Sequence, residues 1–151
     1  MGTNIRADIV FDVDGTLMDI NHRRHHVEQK PKDFEAFRKD MIHDTPNEDV
    51  VMMAKVLREA GHRIIIATGR LEDDVPLTRR QLVDAGVSWD AMFFRTKKDE
   101  FKPDSEIKEK FIARMKADGF NPTMAFDDRQ KVVDMWRRNG LRVFQVDKGD
   151  F

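Results

Sequence analysis

Four short stretches of the chain carry side chains able to do chemistry together. Asp12 and Asp14 follow the apolar run Ala7–Phe11 and lead straight into Gly15-Thr16-Leu17. Thr68, Gly69 and Arg70 follow Arg63–Ala67. Lys108 lies near the start of a segment whose apolar positions are Ile107, Phe111, Ile112 and Met115, and Asp127-Asp128 end the run Met124-Ala125-Phe126. On a regular strand, residues two apart share one face, so Asp12 and Asp14 would crowd two like charges together unless a cation joins them. Four carboxylates converging on one crevice, without imidazole or thiolate, suit a hard cation, magnesium best of all. Thr68, Lys108 and Arg70 add a hydroxyl and two positive groups, the equipment for holding a tetrahedral oxyanion. A nucleophilic aspartate, a neighbouring acid/base carboxylate, a metal and phosphate-binding cations together describe phosphoryl transfer through an aspartyl-phosphate.

These groups can meet only if the intervening chain brings the ends of several strands to one edge. Strands are expected at residues 7–11, 63–67, 91–94, 124–126 and 141–146, and helices at 33–42, 47–60, 74–85, 104–117 and 130–139. Gly61, Gly86, Gly119 and Gly140 each fall just past a helix, where C-terminal caps belong. Strands alternating with helices predict an α/β fold, a doubly wound, mainly parallel, five-stranded Rossmann-like sheet with helices on both faces. In such a sheet, chemistry gathers at the carboxyl ends of the strands. Residues 1–151 are expected to form one domain. Residues 17–61 make a loop and helical insert too short for a large cap.

Composition narrows the partners. Of 151 residues, 40% are hydrophobic and 36% charged, a globular balance. The 27 basic and 28 acidic residues leave a net charge of −1, so any contact with nucleic acid rests on a local patch. The absence of cysteine excludes disulfides and thiolate metal sites. No apolar run is long enough to span a membrane, and a cytoplasmic location is expected.

The ordered set Asp-x-Asp-Gly-Thr, strand-Thr, Lys, strand-Asp-Asp, running from Asp12 to Asp128, resembles the phosphatases of the haloacid dehalogenase superfamily. The resemblance implies that Asp12 attacks phosphorus and that Asp14 protonates the leaving group, then activates water. Thr68 and Lys108 would hold the phosphoryl group, and Asp12, Asp14, Asp127 and Asp128 would surround Mg2+. A closer likeness lies in Phe126-Asp127-Asp128-Arg129, Val132–Arg138 and the closing Gly149-Asp150-Phe151. These are similar to the 3′-phosphatase domain of phage polynucleotide kinase-phosphatases. That likeness implies substrate-binding or structural roles for Arg23, Gly69, Arg70 and Arg95. It also implies a nucleic-acid 3′ end as substrate, with a 3′-terminal phosphate of DNA or RNA removed in end healing. The phosphate-cradling Gly-x-x-x-x-Gly-Lys-Ser/Thr loop of a kinase is absent. A nucleotide substrate, in a small-molecule nucleotidase of the same superfamily, is the alternative, and a non-catalytic binding module is a third.

Each residue also has a plain structural reading. Thr68 and Asp127-Asp128 could cap helices, and Lys108 could be a solvated helix lysine. Asn21–His26, with His22, His25 and His26, is expected to be a cationic loop facing the substrate backbone. Trp89, Trp136, Met52-Met53 and Phe93-Phe94 are expected to be packing residues.

Overall fold

A computed structural model describes residues 5–149; Asp150 and Phe151 of the closing motif lie outside the described residues. Five parallel strands form the main sheet: β1 (Asp8–Phe11), β4 (Arg63–Leu71), β5 (Ala91–Arg95), β6 (Pro122–Asp127) and β7 (Arg142–Gln145). Their spatial order is β5-β4-β1-β6-β7, all neighbours parallel. The order reverses between β1 and β6, which is where an open α/β sheet leaves a crevice at its carboxyl edge. Asp12 follows the last residue of β1 and Asp127 ends β6, so the topology itself brings these two together.

Alternation along the strands builds two cores. Ile9, Phe11, Ile64 and Ile66 face one layer, formed by α3 (Glu48–Glu59) and α4 (Val75–Asp84). Val10, Ile65, Ala67 and Ala125 face the other, formed by α5 (Asp104–Ala117) and α6 (Gln130–Arg138). This period of two sends neighbouring residues to opposite faces, as a doubly wound sheet requires. On the first face, Phe11 stacks on Phe126 across the β1–β6 pair, with ring centroids 4.4 Å apart. The four capping glycines take positive φ, as expected.

Three features differ from the sequence expectation. Met52 and Met53 are exposed, 56% and 38%, rather than packed. In α3, Val50, Val51 and Ala54 turn toward the sheet, and a rotation of about 100° per residue carries the methionines away from it. Strand β4 continues through Thr68–Leu71 instead of ending at Ala67. Between the pairs Ala67–Phe93 and Leu71–Arg95, β4 spends more residues than β5, so Thr68-Gly69-Arg70 form a bulge.

The third difference lies in the insert. It leaves the sheet through β2 (Met18–Asp19) and returns through β3 (Thr45–Pro46), and the two pair antiparallel. Between them Asn21–Arg23 form a 3₁₀ turn, followed by α1 (His25–Glu28), α2 (Phe34–Lys39) and a second 3₁₀ turn at Asp40–His43. Asn21–His26 is therefore helical turn rather than open loop. His22 meets Asp44 and His26 meets Asp40, each at 2.7 Å.

Leu82→Ala, which empties a fully buried site, is expected to cost about 2–5 kcal/mol in chemical denaturation. Met52→Ala on the exposed face should change stability by less than about 0.5 kcal/mol, and an equal loss would return Met52 to the core.

Candidate active site

The crevice above the β1–β6 junction is lined by alternating charges. Asp12, Asp127 and Asp128 are all buried and offer carboxylate oxygens within 4.8 Å of one another. Lys108, itself 1% exposed, reaches between two of them from the first turns of α5: Nζ donates to Asp12 Oδ1 at 2.7 Å and to Asp127 Oδ2 at 3.1 Å. Thr16 donates its hydroxyl to Asp12 Oδ2 at 2.9 Å, so both oxygens of Asp12 are held by donors. Trp136, fully buried in α6, packs as expected. It also donates Nε1 to Asp127 Oδ2 at 3.1 Å.

Asp14 does not join that trio. Past Asp12 the chain folds tightly: Met18 N–H donates to Val13 at 2.9 Å, and Gly15 N–H donates to Met18 at 2.8 Å. Gly15 has φ +81°, and a Cβ there would lie 2.2 Å from Asp128 Oδ2, so both conformation and space call for glycine. The turn separates the two aspartates that a regular strand would have kept on one face. It delivers Asp14 Oδ1 to Arg23 Nη2 at 3.0 Å, and to Arg70 Nε and Nη2 at 2.9 and 2.8 Å. Among the described residues no protein donor meets its Oδ2, and the side chain is 24% exposed.

Both arginines are buried and lean on a second carboxylate. Asp44, at the foot of the insert, accepts from Arg23 Nε and Nη2 at 2.8 Å each, and from Arg70 Nη2 at 2.9 Å. Arg23 also lies over the Phe37 ring, and Arg70 donates to Thr78 and Gln81. These guanidinium groups are thus held by protein acceptors. Arg95 is held too: it donates to the carbonyls of Gly69, Asp99, Glu100 and Lys102, and to Asp104. Gly69 lies beneath Asp104, where a Cβ would come within 2.6 Å of the carboxylate. Thr68 is fully buried, and its Oγ accepts from Arg70 N–H at 3.1 Å across the bulge.

Asp44, Asp104 and Arg24 belong to this network but carry no motif signal in the sequence. Asp104 binds Arg95 and Arg129, and Arg24 reaches Asp128 at 3.4 Å. A Pro-Asp at a helix start reads only as a cap, and Asp-Thr-Pro reads only as a turn.

Asp12 and Asp14 differ in proton affinity. Burial pushes Asp12 well above the ordinary carboxylate range, the Asp127 charge pushes it further, and Lys108 opposes. Asp128 is raised by burial and by Asp127. Burial would also raise Asp14, but the charges of Arg70 and Arg23 outweigh it and hold Asp14 below the ordinary range. Lys108 loses affinity through burial, yet Asp12 and Asp127 more than restore it, so the ammonium keeps its proton.

Three clustered carboxylates with hard oxygen donors fit a magnesium-like cation. The sign of the coupling follows from the raised values. Native Asp12 and Asp128 hold protons that the unfolded chain gives up, so this contribution to stability is present at low pH. It is lost as pH rises from the ordinary carboxylate range through the raised native values. A cation at the trio replaces those protons. Thermal melts with Mg2+ and with chelator should therefore show a larger upward shift at pH 8 than at pH 5; equal shifts would remove the trio as the binding site.

Among the described residues, no helix is long and apolar enough to cross a membrane. The model of the polynucleotide kinase PNKP phosphatase domain family matches residues 6–151. A chain in the structure of a Pnkp1/Rnl/Hen1 complex superposes with a TM-score of 0.80 at 29% identity, over 99% of this chain and 49% of that one. The present chain thus spans about half the length of that relative. A haloacid dehalogenase-like hydrolase of Streptococcus pneumoniae shares the fold at 11% identity, with a TM-score of 0.66 over 93% of this chain and 84% of that one. A substrate-bound phosphoserine phosphatase does so at 17% identity, with a TM-score of 0.61 over 93% and 86%. The chain belongs to the PNKP phosphatase domain family, phosphomonoesterases of haloacid dehalogenase type.

Proposed function

We propose that this protein removes the terminal phosphate from the 3′ end of a polynucleotide, through a phosphorylated Asp12 and with Mg2+ at Asp12, Asp127 and Asp128. One observation carries the chemistry: the two aspartates of one turn sit in opposite electrostatic settings. Asp12 is fixed by Lys108 and Thr16 beside two further carboxylates, whereas Asp14 is clamped by arginines with one oxygen left toward solvent. Lying two residues apart, they can divide nucleophile and proton carrier between them.

In the first step an Asp12 oxygen bonds to phosphorus as the bond from phosphorus to the 3′ oxygen breaks. Asp14, through Oδ2, gives its proton to the departing oxygen. In the second step water attacks phosphorus and its proton passes to Asp14, releasing phosphate and restoring Asp12. The buried Lys108 ammonium offsets negative charge on the transferring group without titrating. Bound Mg2+ would neutralise phosphate oxygens and shield Asp12 from the anion it must attack. Thr68, on the β4 bulge, is the hydroxyl assigned to the phosphoryl group. Arg23 and Arg70 act by holding Asp14, and Arg95 by holding the Gly69 carbonyl and the 99–102 turn.

The substrate rests on kinship. The family is that of a polynucleotide enzyme, and one structural relative comes from an RNA repair complex. Both support a polynucleotide end over a free nucleotide. A panel of 3′-phosphorylated DNA and RNA oligonucleotides, 3′-mononucleotides and 5′-mononucleotides, assayed with and without Mg2+, tests this. Oligonucleotides should be favoured in kcat/KM, and preference for mononucleotides would make the enzyme a nucleotidase.

Asp12→Asn should abolish turnover on every ester, and full activity would refute the covalent route. Asp14→Asn should slow alkyl esters such as a 3′-phosphate by about 10²–10⁴-fold, while sparing formation of the phospho-enzyme from nitrophenyl phosphate. Because the arginines make protonated Asp14 scarce at neutral pH, kcat/KM for the alkyl ester should fall as pH rises. A parallel loss on both ester classes would take the proton transfer away from Asp14.

A further inference from the structure

Phe101, 95% exposed, is the most exposed of the described large apolar side chains, and it stands at the same edge of the sheet as the crevice. β5 ends at Arg95 and α5 begins at Asp104; between them a 3₁₀ turn at Lys97–Asp99 leads to Phe101. The chain then enters α5, which delivers Lys108 to the crevice. A single apolar side chain at a surface is ordinary. The backbone that carries this one is not. The buried Arg95 donates through Nη1 to the carbonyls of Asp99, Glu100 and Lys102, so the chain is held on both sides of the ring. Nε of the same guanidinium donates to the Gly69 carbonyl at 2.8 Å, next to Thr68. One arginine thus ties the turn to the β4 bulge, and a ring that adds nothing to the core is presented on fixed backbone.

Charge along this rim is cancelled mostly in pairs. Asp99 meets Lys102 at 3.1 Å and Lys110 at 3.5 Å, and Glu100 stands 3.8 Å from Lys97. Arg38 of the insert reaches Asp74 at 2.8 Å and Asp73 at 4.0 Å, while Glu72 accepts from the Lys97 backbone N–H at 3.4 Å. Lys98 is exposed and has no ionic partner among the described residues. No broad basic field therefore covers the rim to draw a polyanion from a distance. What it offers is one aromatic face and, three residues before it, one unspent ammonium. A nucleotide brings the complement of both, a base with an apolar face and a phosphate. Every base has such a face, so a stack of this kind does not depend on sequence. A protein partner would need a wider apolar patch, whereas Phe101 has Glu100 and Lys102 on either side.

We propose that Phe101 is a stacking platform for a base upstream of the 3′-terminal phosphate, with Lys98 on a neighbouring phosphate of the strand. The terminal phosphate enters the crevice, the strand leaves it over the 97–102 turn, and Arg95 fixes the spacing between the two. This rests on the polynucleotide reading given above and adds the grip that separates a strand end from a free nucleotide.

The test compares kcat/KM on a 3′-phosphorylated oligothymidylate with kcat/KM on nitrophenyl phosphate. Phe101→Ala should lose about fivefold or more on the oligonucleotide and nothing on nitrophenyl phosphate. Phe101→Leu should behave like Ala, and Phe101→Trp like wild type. An abasic residue walked along the strand should, at one position, impose the same loss on wild type and no further loss on Phe101→Ala. Lys98→Gln should flatten the salt dependence of binding to the dephosphorylated strand, read by fluorescence anisotropy, by about 0.7 in log–log slope. An unchanged slope would remove Lys98 from the strand. Equal losses of Phe101→Ala on both esters, or additive losses at every abasic position, would overturn the platform, and the polynucleotide reading would still stand if wild type favours oligonucleotides. A wild type that favours mononucleotides would fail that reading and the platform with it. A dimer that dissociates in Phe101→Ala, with oligonucleotide turnover unchanged, would give the ring to a second copy of the chain.

Discussion

The buried ammonium of Lys108 is what permits two carboxylates to end adjacent parallel strands. β1 and β6 lie side by side, so Asp12 and Asp127 converge whatever their side chains prefer. Two ionised carboxylates so placed repel, and burial removes the water that would screen them. Lys108 donates to both, from α5, the helix that packs against β4 and β6. A lysine so near a helix start opposes the helix dipole, a small penalty next to the charge it cancels. A buried charge lasts only when paired and hydrogen-bonded, and here the pairing joins three elements.

The same rule organises the other half of the crevice with different groups. Arg23 and Arg70 each touch both Asp14 and Asp44, giving two positive and two negative charges in a closed set. One set lowers the proton affinity of its aspartate and the other raises that of Asp12. The difference comes from the turn at Gly15, which sends side chains two residues apart into separate neighbourhoods. Backbone geometry in that turn thus does electrostatic work.

What could be read from the sequence follows the same division. Asp12, Asp127 and Asp128 stand at strand ends and Lys108 on a helix face, and period and order alone bring them to one crevice. The sheet and the four longer helices, α3 to α6, are legible for the same reason, since alternation along β1 and β4 encodes both cores, whereas the helix expected at 33–42 is six residues of α2 and a 3₁₀ turn. Asp44 and Asp104 are not legible. Asp44 meets its arginines across 21 and 26 residues of sequence, and no local pattern states which distant charge will pair with which. Gly69 and its polar flank look like a strand end and so conceal the extension of β4, whereas a bulge lets such residues continue the strand. Asn21–His26 looks like open loop because its polar side chains call for water; His22 and His26 instead meet Asp44 and Asp40, which arrive from later in the chain.

The short antiparallel pairing of β2 with β3 acts as a neck. The excursion between residues 20 and 44 leaves and returns at nearly one point, and Asn47 ties that point to Thr16 and Leu17. The sheet therefore does not register the length of what lies above the neck. The excursion could be lengthened, shortened or exchanged in descent without disturbing a strand. Constraint would fall on Arg23, Arg24 and Asp44, which reach below the neck to Asp14, Asp128 and Arg70, and on Arg38 and Met41, which meet Asp74 and Gln81. Change is then free above the neck and confined where the insert meets Asp14, so the excursion can be altered without disturbing the setting of that aspartate.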